Sequence, residues 1–434
     1  MESPDVNLQH TPQHGRINRQ ASARAEADAV VAGLPAFAKE IASRTPFQLM
    51  GDDRVRHQIE LIDAMDSRQR AALRLHYDVI ARRMLTLSAS DVDLGGAASK
   101  GRIWYRVDGE KTPDKTMPEY SQDETNLLIL NLLTTNGRKS LLDWYAADFS
   151  YELSGSNGKR RRFRATAYMD MGHLALNMRA IGDEVRSIKS LEFHPKVERG
   201  LMFRHVRDGL TLITGVTGSG KSTTMDAIVD ANNADVQGHI VIVGKPIEYM
   251  HQSKKSIVRH REVGQDVATF KDAIVQALRQ DPDIIVVGEM RDPETISAAL
   301  EITDSGHKVF STLHTSSAVE SIDRIIGEYP SEEQNRIRYR LADTLRCIVS
   351  QKLLPKVGGG RVLAKEVLWM TPPSRAAIKN DNAGEIYQMM WEGWNNGMIT
   401  LEQDLYRLVR KGLITKDSAM DNANNKRRLQ QLIR

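Results

Sequence analysis

The chain has 434 residues, 41% hydrophobic and 27% charged, a balance suited to a folded soluble protein too long for one ordinary core, so two or three domains are expected. Lys and Arg number 60 against 56 Asp and Glu, a net charge of +4, which is too even for a dedicated nucleic-acid binder, and no direct nucleic-acid partner is expected. No stretch approaches the roughly 18 apolar residues of a spanning helix, the start has no secretory core, and the single cysteine, Cys347, rules out a disulfide framework or cysteine-based zinc cluster and fits a reducing cytosol.

Residues 1–20 are polar and aperiodic and read as a disordered tail. Residues 21–87 read as a helical extension of unassigned role, and a partner-docking module competes with plain packing as its purpose. In its last segment Leu73, Tyr77, Ile80, Met84 and Leu87 recur at spacings of four and three, Ser67 is the expected cap, and Arg68, Arg70, Arg74, Arg82 and Arg83 are available for the wet side. Residues 88–190 change to short strands and turns. Ile103–Val107 runs into Asp108-Gly109, Phe149–Leu153 and Phe163–Tyr168 alternate on either side of Gly155–Gly158, and residues 122–145 look helical, which makes a small α+β domain. The basic run Lys159–Arg162 is either a solvated turn or a phosphate-binding patch.

Residues 191–434 alternate strand and helix. Leu210–Thr214, His239–Val243, Ile284–Val287, Val309–Leu313 and Val362–Leu368 read as strands, with helices at Phe270–Arg279 and Pro293–Thr303 and two or three short helices from Leu401 onward. The expected fold is α/β, a mainly parallel sheet covered on both faces.

Within that unit Gly215-Val216-Thr217-Gly218-Ser219-Gly220-Lys221-Ser222 fits G-x-x-x-x-G-K-[ST] between a strand and a helix. The glycines let backbone N–H groups turn around phosphate oxygens, the helix N-terminus adds partial positive charge, Lys221 reaches the β- and γ-phosphates, and the Ser222 hydroxyl suits Mg²⁺. Gly215, Thr217, Gly218, Ser219, Gly220, Lys221, Ser222 and Thr223 are the expected contacts for ATP, with Ser222 as the metal ligand. Glu289, just past the strand Ile284–Val287, is the candidate for orienting the attacking water. His307 opens the next strand and His314 closes it, and a histidine there could sense the γ-phosphate or be satisfied within the sheet.

The ordered motifs GVTGSGKST, REVGQD, ALRQDPDIIVVGEMRDPETI, SGHKVFSTLHTSS and IDRII resemble the secretion ATPases of type II and type IV systems, and among them the PilT-type motors that retract type IV pili. The likeness runs over about residues 86–425, from SASDVDL and YRVDGE to GMITLEQDLYRLVRKGLI. It implies a RecA-like phosphate-loop domain, a PAS-like domain before it, and a ring-shaped homohexamer on the cytoplasmic face of the inner membrane, partnered by a pilus or secretion platform protein. It also implies catalytic roles for Glu289, Glu248 and His314, and phosphate contacts from Arg164 and Arg179 when ATP closes the two domains.

Three positions depart from the family pattern. The stretch Tyr168–Gly172 lacks an Asn/Gln-Arg-Gly element, Asp93 stands where the family has His, and the acidic box Glu-Asp-Pro-x-Glu reads Gly244-Lys245-Pro246-Ile247-Glu248. The implied function is an ATP-hydrolysing motor for pilus retraction. Alternatives are an ATPase of a type IVB secretion or conjugation apparatus and an ATP-binding regulator with little hydrolysis.

Overall fold

The computed structural model describes residues 33–107, 109–154, 160–182 and 185–433. The tail of residues 1–20, the first residues of the helical extension, Asp108, the Gly155–Gly158 turn and Lys159 of the basic run lie outside the described residues. The chain divides into two compact units, residues 1–181 and 182–434.

In the first unit helices Ala36–Ser43, Gly51–Asp63 and Ser67–Thr86 precede an antiparallel sheet. Its strands are β1 (Asp91–Gly95), β2 (Trp104–Val107), β3 (Glu110–Pro113), β4 (Ala146–Ser154), β5 (Arg160–Asp170) and β6 (His173–Ala180), in the order β3-β2-β1-β6-β5-β4. The stretch 122–145, expected to be helical, forms two helices, Gln122–Leu132 and Thr135–Trp144, the Thr134 side chain accepting the Gly137 N–H at the start of the second.

Leu73, Tyr77, Ile80 and Met84 are buried in one core with Val92 and Leu94 of β1 and Leu176 and Met178 of β6, so the third helix lies on this sheet through its apolar stripe. Its cap is Asp66, one residue before the expected Ser67, since Asp66 accepts the Gln69 N–H while the Gln69 side chain accepts the Asp66 N–H. Arg83 is not on the wet side. It is buried and ion-paired with Asp114, which compensates for the desolvation of both charges.

The second unit is built on a seven-stranded sheet in the order β13-β12-β7-β11-β10-β8-β9. Its strands are β7 (Gly209–Thr214), β8 (His239–Gly244), β9 (Ile257–Glu262), β10 (Ile284–Val287), β11 (Lys308–Leu313), β12 (Leu345–Pro355) and β13 (Arg361–Trp369). All neighbours are parallel except β12 and β13. The expected parallel strands are present as β7, β8, β10 and β11, and the sequence reading missed β9 and β12.

Alternate residues of the central strands feed different cores. Ile285, Val287 and Val309 join one cluster, and Ile284, Val286 and Phe310 join the other, so β10 and β11 are buried throughout because both faces are covered. The tail forms helices Leu401–Arg410, Lys416–Asn422 and Lys426–Ile433, which pack with Leu354 and Ala364 of the antiparallel edge.

Candidate functional site

Parallel pairing brings the C-terminal ends of β7, β11, β10 and β8 to one edge of the sheet, where α/β folds bind ligands. From that edge project the glycine-rich loop after β7, Glu289 after β10, His314 after β11 and Glu248 beyond β8.

The loop needs its glycines. Gly215 has φ +147°, and a Cβ there would lie 2.4 Å from Ser219 Oγ and 2.5 Å from the Gln351 carbonyl oxygen. Gly220, at φ +90°, opens helix Lys221–Asp235, and no side chain caps that helix, so its first N–H groups and the positive end of its dipole suit an anion. Ser222 and Thr223 are exposed on its first turn, Thr217 and Gly218 at the loop's crest are exposed, and Ser219 is buried beneath them. Lys221 Nζ donates to the Gly215 carbonyl at 2.8 Å and the Val216 carbonyl at 3.2 Å. Burial lowers its pKa, and the nearby carboxylates of Glu289 and Glu248 pull it back.

Glu289 is held by its neighbours' backbone. Gly288 N–H donates to Val243 O at 2.8 Å, the Thr312 hydroxyl donates to Gly288 O at 2.6 Å, and Met290 N–H reaches Thr312 O at 3.3 Å. Glu289 Oε1 lies 2.5 Å from Arg291 Nε and 3.3 Å from His314 Nε2. The His314 pKa is lowered, first by burial and then by Lys221 and Arg291, with Glu289 acting the other way. Lys221, Glu289, Arg291 and His314 therefore form one electrostatic cluster beside the loop, able to hold a phosphate chain and orient a water near it.

Arg291 carried no expectation, and its signal in the sequence is only its place two residues after Glu289. His307 does not join the cluster. It lies just before β11, seven residues and about 23 Å from His314, where its Nδ1 meets Ser305 Oγ at 2.9 Å. Lys245 is exposed, while Gly244 is buried at the end of β8.

Arg164 and Arg179 belong to the first unit, directly opposite each other on β5 and β6. Arg179 Nε donates to Asp91 Oδ1 at 2.7 Å, and Arg106 stands 3.5 Å from the other oxygen. Burial alone would raise the Asp91 pKa, but the Ser90 hydroxyl, Arg179 and Arg106 bring it below the ordinary value.

The phosphate-loop geometry and the parallel sheet define a nucleotide-binding α/β protein. Residues 171–359 match the family described as "Type II/IV secretion system protein". The chain is 40% identical over 321 residues, 73% of its length and 90% of the relative's, to the "Type IV pilus retractation ATPase PilT" of Pseudomonas aeruginosa. It is 38% identical to the "Twitching motility protein" of Neisseria gonorrhoeae, over 71% of this chain and 81% of that one. Among solved structures it resembles the pilus retraction motor PilT with bound ADP, at TM-score 0.71 and 37% identity over 82% of this chain and 98% of that one. It also resembles the Legionella pneumophila ATPase DotB, at TM-score 0.69 and 27% identity over 79% and 94%. This chain belongs to the type II/IV secretion ATPases, as a PilT-type member, and is a nucleotide-binding ATPase.

Proposed function

We propose that this ATPase is a homohexameric motor that powers type IV pilus retraction from the cytoplasmic face of the inner membrane, working against a membrane-embedded platform protein. The observation that carries the reading is the 40% identity to a retraction ATPase, extending over 90% of that relative, together with the cluster of Lys221, Glu289 and His314 at one sheet edge. No helix among the described residues is long and apolar enough to cross a membrane, so attachment to the machinery would be peripheral.

In this reading the second unit is RecA-like and the sheet of the first is PAS-like. Gly215, Thr217, Gly218, Ser219, Gly220, Lys221, Ser222 and Thr223 hold the phosphates of ATP. Ser222, exposed at an uncapped helix start, would bind Mg²⁺, which supplies charge neutralisation on the phosphates. Glu289 orients the attacking water, His314 senses the γ-phosphate, and Glu248, the remaining acid of its box, assists. Arg164 and Arg179 contribute contacts made only when ATP draws the units together, because a ligand shifts such an equilibrium only through contacts that differ between states.

The test is ATP turnover by the purified protein beside its Lys221→Ala and Glu289→Ala variants, with twitching scored in cells carrying each. Retained turnover in both variants, or twitching unaffected by deletion of the gene, refutes the reading. Loss of neither ATP affinity nor turnover in Arg164→Ala and Arg179→Ala removes the coupling assigned to the arginines.

A further inference from the structure

The glycine-rich loop is braced from behind by a residue of a different strand. Ser350 on β12 pairs with Thr214, the last residue of β7, so Gln351 stands level with the first residue of the loop. Its side chain is 1% exposed, and Nε2 donates a 2.8 Å hydrogen bond to the Ser219 carbonyl.

Across a trans peptide the carbonyl and the following N–H point in opposite directions. Pinning Ser219 O toward Gln351 therefore turns the Gly220 N–H away from it, toward the ligand side of the loop. Gly220 accepts this at φ +90°, and a Cβ on it would lie 3.3 Å from Gln351 Nε2. Gly215 is braced too, since a Cβ there would meet the Gln351 carbonyl oxygen at 2.5 Å. The glutamine thus abuts the loop at both ends and bonds it between them. Two further buried atoms at this junction, Ser219 Oγ and Gln351 Oε1, have no hydrogen-bond partner among the described residues. Only Nε2 therefore anchors the glutamine's amide to the loop.

We propose that Gln351 is a positioning residue of the phosphate site. It orients the Ser219–Gly220 peptide so that the Gly220 N–H faces the bound phosphate chain, without itself touching nucleotide. The proposal rests on the reading that this loop holds the nucleotide phosphates.

The test uses the full chain with Gln351→Met, which keeps the volume and removes the donor, and Gln351→Glu, which sets a carboxylate oxygen against the Ser219 carbonyl. ADP binding is titrated by calorimetry, melting is followed without nucleotide, and kcat and KM for ATP are measured. Freeing one peptide unit of the loop should weaken ADP binding by about tenfold in Gln351→Met and by more in Gln351→Glu. KM should rise with kcat nearly kept and with melting near that of the parent, because the lost contact serves bound nucleotide in ground and transition states alike.

Unchanged ADP affinity in both variants overturns the proposal. So does a fall in melting temperature and kcat with the dissociation constant of the folded fraction unchanged, or failure of both variants to fold, since each marks a packing role. If the parent protein itself fails to bind ADP, the reading of the loop falls instead.

Discussion

His314 Nε2 lies 3.3 Å from Oε1 of Glu289, and the two residues end neighbouring parallel strands, so sheet pairing sets their separation. The contact joins the proposed water-orienting carboxylate to the proposed phosphate sensor. Glu289→Gln keeps the shape and removes the negative charge. Turnover is expected to fall by about 10² to 10⁴-fold, the usual worth of a positioned acid or base, while ATP affinity changes little. Single-turnover kinetics with an ATP titration checks this, and equal losses in binding and turnover would make Glu289 structural.

The same pair sets a pH response. Burial, then Lys221 and Arg291, hold the His314 imidazole below its ordinary range, so it stays neutral on acidification to beneath about 6.5. Turnover should be flat through neutral pH and decline only at more acid values. His314→Gln, which cannot titrate, should lose that acid decline, as a pH–rate profile of both proteins would report.

Lys221 is the cation at the loop, and its ammonium already spans two loop carbonyls. In Lys221→Ala the nucleotide loses a charge-assisted contact of roughly 1.5–3 kcal/mol, so affinity for ATP should fall by about 10- to 100-fold. Equilibrium titration with a fluorescent ATP analogue measures it, and parental affinity would contradict the assignment of the loop.

Lys245 is exposed, and a cation near the phosphate site repels a bound metal ion. Restoring both lost acids of the box is not a clean experiment. Gly244 is buried, and a Cβ on it would lie 2.9 Å from Ile247 Cδ1 and 3.2 Å from the Pro246 carbonyl oxygen. Lys245→Asp alone avoids that collision and should raise turnover at saturating Mg²⁺-ATP several-fold, on the order of 1 kcal/mol in the barrier. A lower rate would mean that the site works through its lysine.

Glu366 is 3% exposed on β13, accepts the Ala318 N–H at 2.7 Å, and has the buried Glu402 nearby. Burial, reinforced by Glu402, raises its pKa to about 7 despite the backbone donors. Its folded value exceeds the ordinary 4.5, so the stability it contributes is fully present below about 4.5 and is lost as pH rises through 7. Glu366→Gln stays neutral and should gain on the parent above pH 7, by an amount on the order of 1–3 kcal/mol. Melting curves of the two proteins should draw apart as pH rises from about 4.5 to about 7 and keep that separation above it, and parallel curves across this window would show that Glu366 does not titrate there.

Local pattern carried much of this protein. The spacing of Gly215, Gly220, Lys221 and Ser222 specified a glycine-rich turn between a strand and an uncapped helix start, because backbone turning and a helix N-terminus are short-range properties. The unbroken apolar run Ile284–Val287 specified a strand covered on both faces, and Leu73, Tyr77, Ile80 and Met84 specified the buried side of their helix. Tertiary structure alone decided the rest. Strand order put β12 beside β7 and so placed Gln351 behind a loop that precedes it by more than a hundred residues. Strand direction sent His314 to the site edge and His307 to the opposite end. Arg83, one of several arginines on its helix, is buried because Asp114 waits across the fold to pair with it. Periodicity shows which face of an element is apolar, but which element lies against that face depends on contacts between residues far apart in the chain.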